Sequence, residues 1–154
     1  MRRDESIKLP VIGWREWLRL PELHVHHIKA KIDTGARSSS LHASDIVIDD
    51  RGGVQFVRFS IHPFQFRSSK VVSAEAQVLE FRPIKSSNGQ IDMRPVIMTT
   101  LKMMGQKWQI ELTLTDRADM GFRMLLGREA FRGRFLIDPG KSFYGGKPKK
   151  KKKT

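Results

Sequence analysis

The amino-acid sequence predicts an all-β domain, built as a small closed barrel or as an orthogonal sandwich. About eight short segments carry apolar residues at every second position, which is the period of a strand with one buried face. No segment shows the spacing of a long amphipathic helix. The chain has 154 residues, with 9 Phe and 3 Trp, which is enough apolar material for one core.

We expect one folded unit over residues 8–145, preceded by a polar lead-in at 1–7. Residues 146–154 are expected to form a disordered, lysine-rich tail, because the run KPKKKKKT has no apolar side chain to bury. The absence of Cys excludes disulfides, thiol nucleophiles and cysteine-based zinc sites. No apolar run reaches the roughly 18 residues of a membrane span, and no secretory signal follows the first Met. A cytoplasmic location without membrane contact is therefore expected.

The net charge of +13 predicts an acidic partner. Six of these charges come from the lysines of the tail, so the rest of the chain carries +7. The partner could be nucleic acid, the ribosome surface or a carboxylate-rich peptide. The tail is expected to add weak, salt-sensitive contacts with a ribosome or RNA.

The first strand is predicted at residues 11–18, ended by Pro21. The next strand is predicted from the alternation of Ile28, Ala30 and Ile32 with lysines, and it ends at Asp33. Gly35 relieves the turn that follows. A carboxylate at the end of a rigid strand is held still, as catalysis requires. The alternative is an Asp that only caps an ordinary turn.

The remaining strands follow from the same alternation, and one hairpin differs from them. The run from Asp49 to Gly53 is a strong turn signal. The hairpin at residues 80–91 has arms that are only partly apolar and an Asn88-Gly89 tip that favours positive φ. It is expected to project, either as an ordinary loop or as a flap that covers substrate. One helical turn is predicted at residues 129–131. The strands are predicted at residues 46–48, 57–61, 72–78, 96–104, 108–114, 124–126 and 135–137.

Two histidines leave a metal site open as an alternative. His24 and His26 would share a face of the strand that carries Asp33, so they could form a metal pair. No third ligand has a persuasive spacing and no His-Glu-x-x-His sequence occurs. No phosphate-binding glycine loop occurs either. The sequence therefore predicts no metal and no cofactor.

The order of these parts resembles the retropepsins. It is more closely similar to the bacterial retropepsin-like (RimB-like) aspartic peptidases, a family associated with the RimK glutamate ligase and also labelled ATP-dependent zinc protease. The resemblance covers residues 10–143, nearly the whole predicted domain. The matching segments are KIDTGA at 31–36, LHA at 41–43, RP at 94–95, IELTLT at 110–115 and MLLGRE at 124–129.

The resemblance implies a homodimer. One chain has one Asp-Thr-Gly, whereas the reaction uses two carboxylates. Two carboxylates about 3 Å apart cannot both ionise easily, so they share a proton. The ionised member takes a proton from water and the protonated member polarises the scissile carbonyl. A symmetric dimer would bring Asp33 and its copy together.

The resemblance also assigns roles by position. Thr34 would hydrogen-bond across the dimer, Leu125 would line a side-chain subsite, and Arg128 would brace the active-site loop. By this assignment the catalytic residues would be Asp33, Thr34 and Gly35. The substrate-binding residues would be Ala36, Arg37, Ser86, Ser87, Asn88, Gly89 and Leu125. The supporting residues would be Gly127, Arg128 and Glu129.

Arg37 departs from the viral pattern. Viral retropepsins have an acidic residue at this place, paired with the arginine of the Gly-Arg sequence. Arg37 and Arg128 would repel each other, so Glu129 is expected to pair with Arg128 and leave Arg37 facing the substrate. The alternative is that Arg37 is a solvated loop residue. An exposed guanidinium favours carboxylates, which together with the basic charge predicts an acidic substrate.

The predicted function is therefore that of an aspartic endopeptidase that cleaves acidic segments, including poly-glutamate, such as those of a glutamate-tailed ribosomal protein. One alternative is a non-catalytic retropepsin-like dimer that binds ribosome or RNA through its basic surface. Another is a metallopeptidase that uses His24, His26 and a further ligand.

Overall fold

A computed structural model describes residues 8–64, 70–85, 88–117 and 121–147. The prediction of a nearly all-β protein with one short helical turn near the C-terminus is confirmed. None of the helices in these ranges is long and apolar enough to cross a bilayer. The strands are β1 (Val11–Gly13), β2 (Arg15–Leu20), β3 (Val25–Asp33), β4 (Ser39–Arg51), β5 (Val54–Ile61), β6 (Val72–Lys85), β7 (Ile91–Met103), β8 (Gln106–Thr115), β9 (Met124–Gly127) and β10 (Leu136–Asp138). A 3-10 turn spans Pro21–Leu23, and helix α1 spans Arg128–Phe131.

The strands form a ring. Neighbouring strands pair in the order β2, β3, β9, β4, β8 and β7, and β7 pairs again with β2. Strands β5 and β6 make a second connection between β4 and β7. Two pairings in the ring are parallel, β3 with β9 and β4 with β8, and they join segments far apart in the sequence.

The core is apolar and follows the predicted alternation. On β3, Ile28, Ala30 and Ile32 are buried, and on β8 the same holds for Ile110 and Leu112. Side chains at every second position point to one face of a strand, so each strand contributes one row to the core. The lysines between the buried positions of β3 remain accessible to solvent.

The first predicted strand is in fact two strands, which corrects the prediction for residues 11–18. The strand is interrupted at Trp14, whose N–H donates to the carbonyl of Lys141 at 2.9 Å. A Cβ at Gly13 would lie 2.3 Å from that same oxygen, so only glycine allows the later segment to pass so close. β1 pairs in parallel with β10, whereas β2 pairs with β3.

A buried carboxylate holds the two ends of the domain together. Glu16 is fully buried on β2. Its oxygens accept backbone N–H bonds from Gly13 at 2.7 Å, Tyr144 at 2.9 Å and Gly145 at 3.0 Å. Hydrogen bonds from N–H groups to a carboxylate are stronger than those between neutral groups. They therefore offset the cost of removing this group from water.

The predicted hairpin is present, and apolar residues on one of its arms are exposed. β6 and β7 remain paired as far as Lys85 and Ile91. Gly89 at the tip has φ of 86°, as the Asn-Gly sequence predicts. On the β7 arm, Ile91 is 64% exposed and Met93 is 60% exposed. These two apolar side chains therefore lie on the surface of the hairpin and not in the core.

Candidate active site

Strands β3, β9 and β4 position Asp33. It is the last residue of β3 and lies opposite Gly127 in the parallel pairing with β9. β9 also pairs antiparallel with β4, where Leu125 lies opposite Ser40. Because β9 lies between the strands on either side of the Asp33 turn, it fixes both ends of that turn.

The carboxylate of Asp33 is held by its own turn. Its Oδ1 accepts N–H bonds from Gly35 at 2.9 Å and from Ala36 at 3.2 Å. In the described part of the chain, no hydrogen bond occupies Oδ2. The Asp33 side chain is half-buried, whereas Thr34 and Gly35 are exposed. One oxygen is thus fixed and the other can meet a water molecule or a second carboxylate.

Gly127 allows β9 to approach this turn closely. Its N–H donates to Ser39 Oγ at 3.0 Å. A Cβ at this position would lie 2.4 Å from the carbonyl oxygen of Ser38, which no side chain tolerates. Its φ of −84° and ψ of 165° are open to any residue, so contact distance and not backbone conformation requires glycine here.

Helix α1 is bound to the turn by its first two N–H groups. Arg128 N–H donates to the carbonyl of Ala36 at 2.8 Å, and Glu129 N–H donates to that of Arg37 at 3.1 Å. These two donors have no partner inside a helix. They join the helix start to the residues that directly follow Asp33.

The expected pairing of Arg128 with Glu129 is replaced by another arrangement. The Arg128 guanidinium lies 3.5 Å from the carbonyl oxygen of Gly35, so it contacts the turn directly. Glu129 instead pairs with Arg132, at 3.4 Å. Consecutive residues on a helix point in different directions, whereas residues three apart share a face. The geometry of α1 therefore favours the pair that is found.

Arg37 is exposed and lines a cavity of about 710 Å³. Within the described ranges, no carboxylate lies at ion-pair distance from its guanidinium. Leu125 is half-buried on β9. Asn88 and Gly89 are exposed at the hairpin tip, while Ser86 and Ser87 lie outside the described residues.

Hydrogen bonds thus bring the Asp33 turn together with residues 127–129, near the other end of the chain. The predicted tip residues belong to a separate element, the β6–β7 hairpin. The roles assigned to individual residues remain predictions.

A buried histidine has a structural environment that sequence reasoning did not identify. His42 on β4 accepts the backbone N–H of Arg117 at its Nδ1, at 3.1 Å. Its ring stacks on His62, with centroids 5.8 Å apart, and His62 is hydrogen-bonded to Ser44 Oγ at 2.7 Å. Burial lowers the pKa of His42, and the positive charge of Arg123 lowers it further. The sequence indicated His42 only as part of the LHA segment that resembles the family, and it predicted no role for this residue.

The two histidines proposed as a metal pair are not on one strand face. His24 precedes β3 and has φ of 61°, so it does not continue the alternation that includes His26. Among the residues that the structure describes, no group of three or more His, Asp or Glu side chains could hold a metal ion. The described geometry therefore gives this pair no further ligand.

Comparisons with known proteins find a family and several relatives that match most of this chain. Residues 11–148 match the RimB-like family model, described as the retropepsin-like aspartic endopeptidase RimB. A probable alpha-L-glutamate ligase from Shewanella halifaxensis is 47% identical over 133 residues, which are 86% of this chain and 29% of that protein. A protein of the same name from Desulfotalea psychrophila is 45% identical over 136 residues, 88% of this chain and 29% of that protein. The chain thus spans less than a third of the length of these curated relatives.

A solved structure has the same fold. The crystal structure of Lpg0085 from Legionella pneumophila, a protein of unknown function, superposes with a TM-score of 0.73. The two chains are 27% identical, and the match covers 89% of this chain and 98% of that one.

Proposed function

This chain belongs to the RimB-like family of retropepsin-like aspartic endopeptidases, and from that premise we propose that it hydrolyses peptide bonds with a water molecule activated by Asp33. The observation that carries the proposal is the state of the Asp33 carboxylate. Two backbone N–H groups fix Oδ1, and Oδ2 has no hydrogen bond within the described residues. A carboxylate held in one orientation with one free oxygen can accept a proton from water.

The second carboxylate of the reaction comes from a second copy of the chain. An aspartic peptidase needs one ionised and one protonated carboxyl group on either side of the water. A two-fold axis beside the exposed Thr34 and Gly35 would place the two copies of Asp33 together. Water then adds to the carbonyl carbon: one Asp takes a proton from the water and the other gives its proton to the carbonyl oxygen, which leaves a gem-diol. The C–N bond then breaks as the first Asp gives its proton to the amide nitrogen and the second takes a proton from the gem-diol, so that a carboxylic acid and an amine leave and the two Asp again share one proton.

In this proposal the ring of strands is the small closed barrel predicted from the sequence, and the β6–β7 hairpin is the flap. The exposed Ile91 and Met93 on its arm support this role, because they provide apolar surface that a bound peptide would cover. Closure would shield the site from bulk solvent and hold the peptide in place.

The proposed substrate is an acidic peptide segment, such as a glutamate tail on a ribosomal protein. Three observations support it. Arg37 follows the Asp33 turn and has no carboxylate partner in the described residues. The chain carries a net charge of +13. The relatives are named probable alpha-L-glutamate ligases, and each glutamate that such an enzyme joins to its acceptor adds a carboxylate.

The test is to incubate the wild type and Asp33→Asn with a glutamate-tailed peptide and a neutral peptide, and to read the products by mass spectrometry. Asp33→Asn is expected to lower the hydrolysis rate by at least about 100-fold, because it removes the group that accepts the proton. Asp50→Asn is the matched control, since Asp50 also caps a turn, through Gly53 N–H at 3.0 Å. It is expected to keep full activity. Cleavage by Asp33→Asn at the wild-type rate would refute the proposal.

A second candidate is a non-catalytic dimer that binds ribosome or RNA, and the net charge of +13 is the observation that favours it. It predicts binding that weakens steeply with salt, is unchanged in Asp33→Asn, and occurs without peptide cleavage. Filter binding of a ribosomal RNA fragment to both variants at rising salt would separate the two candidates.

A further inference from the structure

The cavity of about 710 Å³ that Arg37 lines begins at the residues that directly follow the Asp33 turn. Arg37, Ser38 and Ser39, which follow that turn, form part of its wall. Glu129 and Ala130 of α1 form another part. The bond from Glu129 N–H to the carbonyl of Arg37, at 3.1 Å, fastens these two parts together. A ligand in the cavity would therefore lie next to the residues that hold Asp33.

The lining is rich in guanidinium groups. Four arginines and two glutamates contribute to it, namely Arg37, Arg82, Arg132, Arg134, Glu111 and Glu129. Arg82 is engaged by Glu111 at 2.5 Å and also by Glu80. Arg132 is paired with Glu129. Across the described ranges, Arg37 and Arg134 are the lining arginines that have no carboxylate partner.

Arg134 is held in place although it has no acidic partner. Its guanidinium carbon lies 4.5 Å from the centre of the Trp108 ring, and its Nη1 lies 3.4 Å from Gln106 Oε1. Trp108 is itself fixed, because its Nε1–H donates to the carbonyl of Ala130 at 2.9 Å. A guanidinium has five N–H donors, so most of them remain available after the bond to Gln106. Stacking on the ring orients the planar group before any ligand arrives.

We propose that this cavity is a subsite for a carboxylate side chain of the substrate, at a position removed from the cleaved bond, and that Arg134 and Arg37 bind it. This inference rests on the proposed peptidase function and extends it from the cleaved bond to a second position on the peptide. An extended peptide advances about 3.3 Å per residue. A chain that crosses the Asp33 turn can therefore place a later side chain in the adjoining cavity. Guanidinium forks match the two oxygens of a carboxylate, which predicts a preference for Glu or Asp over Gln or Asn.

The test measures binding in the full chain carrying Asp33→Asn, so that no hydrolysis interferes. The probes are a fluorescein-labelled oligo-glutamate peptide and an oligo-glutamine peptide of equal length, read by fluorescence anisotropy. Adding Arg134→Gln is expected to weaken binding of the glutamate peptide at least about tenfold, because hydrogen bonds to a charged group are lost. Binding of the glutamine peptide is expected to stay the same.

The matched control is Arg19→Gln, which removes the same charge from an exposed position on β2. It is expected to change binding by less than about twofold, since exposed charges contribute little. Equal weakening by both variants would show general attraction to a basic protein and would overturn the subsite. Thermal melting checks that each variant is folded. If Arg134→Gln does not fold, Arg37→Gln serves in its place, and an unselective effect there would equally overturn the subsite.

Cleavage assays distinguish this inference from the proposed function. If the wild type cleaves neither peptide but the Arg134 dependence of binding holds, the peptidase proposal fails and the carboxylate site stands. If the wild type cleaves both peptides equally well and Arg134→Gln has no selective effect, the peptidase stands and the subsite fails. The subsite would also be overturned if Arg134→Gln weakened the binding of a single-stranded RNA but left the binding of the glutamate peptide unchanged.

Discussion

Replacing Gly127 by Ala adds one methyl group where β9 meets the turn that follows Asp33. The added Cβ would lie 2.4 Å from the carbonyl oxygen of Ser38 and 2.6 Å from its carbonyl carbon. Both contacts are with backbone atoms, so no side chain can rotate away. The φ and ψ of Gly127 suit alanine, and the whole effect therefore comes from steric displacement.

The size of the effect follows from these distances. Carbon and oxygen settle at about 3.3 Å or more, so the turn and β9 must separate by roughly 0.9 Å. The bonds from Gly127 N–H to Ser39 Oγ, at 3.0 Å, and from Arg128 N–H to the Ala36 carbonyl, at 2.8 Å, would then exceed hydrogen-bonding distance. Two lost bonds of about 1 kcal/mol each and overpacking strain of about 1–3 kcal/mol give a loss of about 3–5 kcal/mol.

Urea unfolding followed by tryptophan fluorescence measures the loss of stability, and peptide hydrolysis measures the effect on the site. Under the proposed peptidase function, a displacement of about 1 Å at the Asp33 turn is expected to lower kcat roughly 100-fold. The matched control is Gly140→Ala, whose Cβ would have its nearest contact at 3.5 Å, with Asp138 Oδ1. It should leave both quantities near wild type. A Gly127→Ala protein with a free energy of unfolding within about 0.5 kcal/mol of wild type would refute the reasoning.

Two further predictions concern buried ionisable groups. Glu16→Gln replaces one acceptor oxygen by an amide that faces backbone N–H donors, so denaturant unfolding should show a free energy of unfolding lower by about 2–4 kcal/mol. The control Glu80→Gln changes an exposed residue and should alter the free energy of unfolding by less than about 0.5 kcal/mol. Equal effects of the two substitutions would contradict the stabilising role of Glu16. Burial lowers the pKa of His42 from its ordinary value of 6.5, so the unfolded chain binds this proton more readily and stability should fall as pH drops below that value. His42→Asn keeps an acceptor for the Arg117 N–H and should make the fall in the free energy of unfolding between about pH 7 and pH 5 shallower. An unchanged slope would assign the effect to other groups such as His27, because burial lowers the pKa of that histidine too.

Local features were predictable from the sequence. The strand that ends at Asp33 and the turn at Gly35 follow from a few neighbouring residues, because alternation and glycine freedom act over that range. The Asn88-Gly89 tip and the helical turn at residues 129–131 follow in the same way. These elements are where the sequence indicated them, with bounds that differ by a few residues.

Long-range features were not predictable. Nothing near Ile32 indicates that it pairs in parallel with Leu126. The sequence around Glu16 predicts an exposed side chain, as for most glutamates. Its burial could not be predicted, because two of its three N–H donors come from the other end of the domain. The contact of Arg134 with Trp108 likewise depends on the path of β8 relative to α1. Such features arise from tertiary packing, which local patterns do not encode.

The parallel pairing of β1 with β10 joins a segment near the start of the domain to one near its end. Glu16 ties the same two regions together, through the N–H of Gly13 on one side and those of Tyr144 and Gly145 on the other. Detachment of either segment would expose the buried carboxylate to solvent and leave N–H groups without their acceptor. Local opening at one terminus of the domain should therefore open the other terminus with it, as a single cooperative unit.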